Sequence, residues 1–290
     1  MTRQQPQSQP AHGQGLIDLH LHTTASDGRC SPRQLVDRAS AAGLTVLAVT
    51  DHDTTAASAE IATHAAAAGI EAISGIEVTA VYDGRDVHVL GYFVSATGAA
   101  LQTFLATQRG ARVARVKAIA ARLAELGYPI DLSAMLDDAQ EASARSLGRP
   151  QVARAMVAAG HVGSIQDAFD GWLGPGGVAF VPREGAAPEA VIEVIHEAGG
   201  LASLAHPGRT LIDDQLERLR DAGLDALEVF HSDHAPAQVT HYAGVAATLN
   251  LLCTGGSDFH GDPARAVSPG STTLPADEWR RFQAARDRHA

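Results

Sequence analysis

The first residues with chemistry to offer lie in one strand-like stretch, Leu16-Ile-Asp18-Leu-His20-Leu-His22. Alternation along a strand sends Asp18, His20 and His22 to one face and Ile17, Leu19 and Leu21 to the other. Two imidazoles two residues apart on one face can hold a metal ion. Asp27, just past the strand end, is a carboxylate within loop reach of the same spot. Later motifs each have an ordinary reading when taken alone. Asp51-His52-Asp53 could be a turn and helix cap, Glu77 a solvated strand residue, and His88, between Val87 and Val89, an outward-facing one. His206-Pro207 could simply end a strand, and Asp258-Phe-His260 could be a loop. Their joint placement argues otherwise. His20, His22, Asp27, His52, Glu77, His88, His206, Asp258 and His260 are nine nitrogen and oxygen donors at or beyond the ends of at least five strands. One tetrahedral ion takes about four donors, so nine suit two or three ions if a carboxylate bridges.

Cationic groups for an anionic substrate sit at loop junctions: Arg149 in Leu-Gly-Arg-Pro, Arg183 in Val-Pro-Arg-Glu and Arg209 in His-Pro-Gly-Arg. The planar guanidinium fork suits phosphate oxygens. His231 and His234 are candidate substrate contacts or supports of the metal ligands, with helix capping by Asp233 as the plain alternative. Arg109, Arg112 and Arg115, at three-residue spacing, read as a solvated helix face.

The elements that must position these groups follow from periodicity and punctuation. Ser31-Pro32-Arg-Gln34 is a helix start of capping-box type, and Gly43 ends that helix. Leu44–Thr50 is an apolar strand with Asp51-His52-Asp53 at its end. A helix over 56–68 leads to the strand 70–78, and Tyr82-Asp-Gly-Arg85 is a hairpin turn returning through 87–93. From about 96 to 178 helical patterns replace strands, over 99–126, 133–141, 149–159 and 164–170, so this stretch reads as a helical insertion domain. Alternation then resumes: helices over 188–198, 213–222 and 236–249, and strands over 200–205, 225–230 and 251–254. About seven strands alternating with helices predict an α/β fold, a (β/α) barrel with its site at the strands' C-terminal ends. An open doubly wound sheet is the alternative. The expected organisation is a disordered tail over 1–15, a barrel built from 16–95 and 179–290, and the insertion over 96–178.

Bulk properties narrow the function. The 290 residues carry a net charge of −11 and are 45% apolar. A chain this acidic is not built to coat nucleic acid or an anionic membrane by bulk charge, although bound metals can invert the local field for a phosphate-bearing substrate. Two cysteines, Cys30 and Cys253, suggest no disulfide framework, and no apolar run reaches a membrane span. Cytoplasmic location is the default expectation, with no protein partner implied.

In Asp18-Leu-His20-Leu-His22, Ser26-Asp27-Gly28, Thr50-Asp51-His52-Asp53, Gly75-Ile-Glu77, His88-Val-Leu-Gly91, His206-Pro207 and Gly256-Ser-Asp258-Phe-His260 the chain resembles the polymerase and histidinol phosphatase (PHP) family of metal-dependent phosphoesterases. The motifs run in the family's order and span nearly the whole chain after residue 15. The resemblance implies a distorted (β/α)7 barrel and three metal positions. His20, His22, Glu77 and Asp258 would hold the first. Glu77 would bridge to a second held by His88 and His206, and Asp27, His52 and His260 would hold the third. Many relatives place a histidine where this chain has Asp27. That aspartate, the insertion and the arginine motifs look most like the branch containing 3′,5′-nucleoside bisphosphate phosphatases and the 5′→3′ exoribonuclease ribonuclease AM.

The expected function is hydrolysis of a phosphate ester on a nucleotide or short single-stranded RNA, by attack of a metal-bridging hydroxide. Glu77, Asp258, Arg149 and Arg209 are its expected catalytic residues, and manganese is the expected ion, with iron or zinc admitted by the donor set. Histidinol-phosphate hydrolysis is an alternative that Asp27 and the insertion disfavour. An amidohydrolase-like site bridged by a modified lysine is poorly supported, since the single lysine, Lys117, lies in the insertion. A non-catalytic nucleic-acid-binding module is the alternative of another class, and the complete ligand set argues against it.

Overall fold

The computed structural model describes residues 15–141 and 145–289; the expected disordered tail falls almost entirely outside them. Seven strands form one sheet in sequence order: β1 (Leu16–Leu21), β2 (Leu44–Val49), β3 (Glu71–Tyr82), β4 (Arg85–Tyr92), β5 (Leu201–Leu204), β6 (Ala226–His231) and β7 (Leu252–Gly256). The pairing is parallel except on both sides of β4. The hairpin explains the exception: Asp83 and Gly84 both take positive φ, 48° and 70°, the turn that matches the strands' twist. The sheet nearly closes on itself. Where β7 ends, Asp258 N–H donates to His20 O at 2.9 Å, His22 N–H to Phe259 O at 3.0 Å, and Leu21 bridges Phe259. The structure is thus a mixed, nearly closed seven-stranded barrel with helices around it.

Helices α1 (Pro32–Ala41), α2 (Ser58–Ala67), α7 (Pro188–Glu197), α9 (Leu216–Asp221) and α10 (Pro236–Leu249) follow the sequence periodicity, and α1 carries the full Ser31–Gln34 capping box. A short helix, α8 (Pro207–Thr210), interrupts the expected loop after β5. Between β4 and α7 the described residues hold α3 (Ala99–Glu125), α4 (Ser133–Glu141), α5 (Arg149–Ala158) and α6 (Ile165–Ala168), with a π-turn over Phe169–Leu173. These helices share an apolar cluster of their own, including Ile119, Leu123, Val152, Met156 and Leu173. A C-terminal helix, α11 (Ala276–His289), is an element that its polar sequence does not announce. It buries Trp279, Phe282 and Ala285 against strand residues, with Phe282 meeting Tyr92 edge-on at 5.3 Å. The largest cluster lies outside β3 and β4: Ile76, Val78, Ala80, Val87 and Val89 point to α7, and the opposite face carries Glu77, Thr79 and His88 together with Ile73, Leu90 and Tyr92 of a second apolar cluster.

One glycine is demanded by this closure. A Cβ on Gly256 would stand 2.3 Å from His20 N, so only glycine lets β7 pass β1 at the site.

Candidate metal centre and active site

The register of β3 against β4 builds the centre. Thr79 pairs with His88 and Glu77 with Leu90, so Glu77 and His88 share a face. Because β4 runs antiparallel, His88 precedes Leu90, the partner of Glu77, by two residues and faces inward with it. Glu77 is buried at the middle. Its Oε1 lies 2.8 Å from His88 Nδ1 and 3.2 Å from His206 Nε2. Its Oε2 lies 3.3 Å from His20 Nε2, 3.2 Å from His22 Nε2 and 3.2 Å from His52 Nδ1. Asp258 Oδ1 completes the first group, 3.4 Å from His20 Nε2 and 3.3 Å from His22 Nε2. Asp27 lies 3.2 Å from His260 Nε2, 3.8 Å from His52 Nε2 and 3.7 Å from His22 Nδ1. The nine sequence candidates therefore meet in one cluster. The grouping differs in detail from the expected one: His22 also joins Asp27, His52 and His260, and His52 joins Glu77 and His88.

The donors fit divalent ions. His22 is fully buried, and neither ring nitrogen has a hydrogen-bond partner; His52 Nδ1 is equally unpartnered. An unmet buried donor or acceptor costs roughly 1–3 kcal/mol, which a cation at those nitrogens offsets. Donors each about 2.1 Å from one ion stand roughly 3.0–3.4 Å apart, the spacing found between most of these atoms. Burial pushes the His22 imidazole down, but Asp258 and Glu77 outweigh it and raise it to about 10: positive charge is wanted there. Burial drives His52 down to about 3 and His206 to about 4, leaving neutral rings with lone pairs to share. Burial also pushes Glu77 and Asp258 up, yet the surrounding imidazoles hold both carboxyls well below the usual range.

Three residues that the sequence places near the site without a role, Glu228, Asp51 and Asp18, are its supports. Glu228, fully buried on β6, accepts from His20 Nδ1 at 2.8 Å and from His206 N–H at 2.7 Å. It thereby fixes the His20 tautomer with Nε2 toward the centre. Asp51 accepts from Thr23 N–H, Thr23 Oγ1 and Ser26 Oγ, shaping the loop that carries Asp27. Asp18, on the His20 face, accepts from the N–H groups of His20, Ser257 and Gly270, stapling β1 to the chain after β7. His206 and Asp258 both take left-handed φ, 31° and 53°. Such strain concentrates where the surroundings over-determine the backbone.

Beside the cluster opens a cavity of about 990 Å³, walled by the barrel mouth on one side and by α3, α5 and α6 with its flanking residues Ser164 and Phe169 on the other. Arg149 faces it, its Nη2 2.8 Å from Asp86 and its guanidinium 5.8 Å from the Phe169 ring centre. Arg209 is half-exposed at the rim, 3.2 Å from Asp233 and 3.7 Å from Asp258. Arg183 is buried, with Nη2 3.1 Å from Asp53.

Three expectations need correction. His234 does not line the cavity: its Nδ1 meets Val229 O at 2.9 Å and its Nε2 accepts the Gly208 N–H at 3.2 Å, so backbone takes both nitrogens. Of the two roles expected of His231, the supporting one fits and the substrate contact does not: it stands behind Asp258, with Nε2 3.4 Å from Asp258 Oδ2 and Nδ1 accepting the Asp233 N–H, and does not face the cavity. The 109–112–115 arginine row is not a solvated face. Arg112 is buried against Asp53, and Arg115 reaches Val181 O and Asp86.

A mixed seven-stranded barrel with a histidine–carboxylate cluster at its mouth and arginines beside it defines a metal-dependent hydrolase of phosphate esters. The sequence matches the PHP domain over residues 18–168. It is 37% identical over 253 residues to the 5′-3′ exoribonuclease Rnm of Escherichia coli, covering 84% of this chain and 85% of the relative. It is 32% identical over 279 residues to the 3′,5′-nucleoside bisphosphate phosphatase of Chromobacterium violaceum, covering 92% and 96%. A Bifidobacterium adolescentis structure designated a metal-dependent phosphoesterase superposes with a TM-score of 0.83 at 33% identity, over 92% of this chain and 95% of that one. The chain belongs to the PHP family, and it is a metal-dependent phosphoesterase. No helix among the described residues is long and apolar enough to cross a membrane.

Proposed function

We propose that the chain hydrolyses a phosphate ester on a nucleotide: a 3′,5′-nucleoside bisphosphate, the 5′ end of a short RNA, or both. The observation that carries this reading is the arginine-walled cavity of about 990 Å³ beside the histidine–carboxylate cluster. Its volume suits a nucleotide. Its guanidinium groups suit a second phosphate, whereas histidinol phosphate would bring an ammonium group and a weakly basic imidazole to the same wall. The two relatives, named as an exoribonuclease and a nucleoside bisphosphate phosphatase, are in keeping with this.

His20, His22, Glu77 and Asp258 would hold one ion, Glu77, His88 and His206 a second, and Asp27, His52 and His260 a third. Divalent ions at these positions would lower the pKa of water toward neutrality and polarise the phosphoryl oxygens; manganese is our assignment, with iron or zinc compatible with the donors. The protein's own work is placement. Glu228 holds His20 in one tautomer, and the neutral His52 and His206 rings offer lone pairs. Arg149 and Arg209 are poised to receive the charge on non-bridging oxygens. The cavity walls align the ester with the cluster. Unpaired Cys30 and Cys253 suit a reducing compartment, so we place the activity in the cytoplasm.

The test is phosphate release with manganese supplied, comparing adenosine 3′,5′-bisphosphate, a short 5′-phosphorylated RNA and histidinol phosphate. The nucleotide substrates should lead by at least about a hundredfold in kcat/KM, a difference of roughly 2.7 kcal/mol. Preference for histidinol phosphate would overturn the assignment, and tight RNA binding without turnover would favour a non-catalytic module.

A further inference from the structure

The two loops that carry Asp27 and His52 are gripped by the helical segment. Four successive carbonyls of the first loop each receive a donor from the chain between 145 and 154. Thr24 O accepts from Arg145 Nε at 3.1 Å, Ala25 O from Ser146 N–H at 3.0 Å and Ser26 O from Gln151 Nε2 at 2.9 Å. Asp27 O accepts from Arg154 Nη2. The second loop is held by β3, where Asp53 N–H donates to Glu77 O at 2.9 Å and Glu77 N–H to Asp51 O at 3.2 Å, and also through the neighbour of His52. The Asp53 carboxylate meets Arg112 and Arg183, and Asp53 O accepts from Arg109 Nη1 at 3.1 Å. Asp53 sits at φ 50°, in the left-handed region that aspartate tolerates better than most residues.

The other ligands are held differently. Glu77 and His88 lie within a continuous ladder, and His20, His206 and Asp258 are fixed by Glu228 or by the β1 seam. Asp86, on β4 near His88, does pair with Arg115 and Arg149. However, β4 is paired on both sides and does not need those contacts to keep its course.

We propose that α3 and α5 complete the positioning of one metal position, that of Asp27, His52 and His260, which the barrel holds only in part, while the barrel alone builds the rest. Gln151 and Arg154 are then positioning residues: they act on the ion through the backbone of the Asp27 loop. Because Arg154 and the start of α5 also line the cavity, the same frame touches both that position and the substrate space. This inference rests on the metal reading of the cluster.

The experiment titrates manganese into the metal-stripped full-length protein and counts ions bound per chain, with the melting temperature recorded alongside. Gln151→Ala and Arg154→Ala should each weaken one binding step by about tenfold or more and leave the other steps unchanged, with Arg154→Lys recovering part of the loss. His260→Ala should remove the same step, and adding Arg154→Ala to it should change metal binding no further. Wild-type steps retained at unchanged affinity in folded Gln151→Ala and Arg154→Ala would overturn the proposal, as would equal weakening of every step. A wild-type chain that binds no ion would instead overturn the metal reading itself.

Discussion

Replacing Glu228 by glutamine isolates the support of two cluster histidines from the histidines themselves. Both carboxylate oxygens are used, one by His20 Nδ1 at 2.8 Å and the other by the His206 N–H at 2.7 Å. An amide of the same shape can accept at only one of these ends and presents its NH2 to a donor at the other. Whichever way it turns, one buried hydrogen bond to a charged acceptor is lost, about 1.5–3 kcal/mol. The His20 tautomer and ring angle loosen with it. Supporting partners of this kind typically contribute roughly ten- to hundredfold in metal affinity. We therefore expect Glu228→Gln to bind manganese roughly ten- to hundredfold more weakly in a chelator competition. For the same cost, its melting temperature should fall by about 3–10 °C. A folded variant whose manganese affinity stays within about threefold of wild type would refute the reasoning, because the loss expected of a severed supporting contact would then be absent. A lowered melting temperature with unchanged affinity would reduce Glu228 to a purely structural role.

Other perturbations test other parts. Arg149→Ala should cost about 1.5–3 kcal/mol in kcat/KM on a nucleotide bisphosphate, mostly through KM. Lysine should restore it only in part, since it lacks the planar fork; steady-state kinetics decides. Gly256→Ala forces a Cβ to within 2.3 Å of His20 N at the β1 seam, so we expect about 3 kcal/mol or more of destabilisation in denaturant unfolding. The hydrogen bond from His196 to Asp225, 2.8 Å long, raises the imidazole's pKa. That stabilisation is fully present below the ordinary value of 6.5, is lost as pH rises through the raised value, and should stay under about 1 kcal/mol at this half-exposed pair. Stability curves of His196→Gln should lack this slope.

The donors of the cluster were legible in the sequence because most stand at or just past a strand end, where hydrophobic alternation breaks and a donor type appears; Glu77 and His88 lie inside β3 and β4 and were legible by type and alternation alone. The antiparallel β4 was legible too, through the Asp83-Gly84 turn, and that turn is what brings His88 inward against Val87 and Val89. Glu228 was harder. It lies inside an apolar strand, and only the fold shows that the face it shares with the site is polar. Arg112 misled for a related reason: three-residue spacing reveals that arginines share a helix face but not what covers it, and the cover is Asp53, 59 positions away in the chain. His234 looked free because its two partners are backbone groups, which no side-chain pattern announces. In α11, Trp279, Phe282 and Ala285 mark a narrow buried stripe diluted by charged residues.

The most direct test of the account is phosphate release from adenosine 3′,5′-bisphosphate by the metal-stripped protein as manganese is added back, with bound ions counted at each point. Turnover should be absent without metal and rise as the cluster fills, and His22→Ala and Glu77→Ala should lose both ions and turnover. Undiminished hydrolysis in the stripped protein, or wild-type metal content and activity in those two variants, would contradict it.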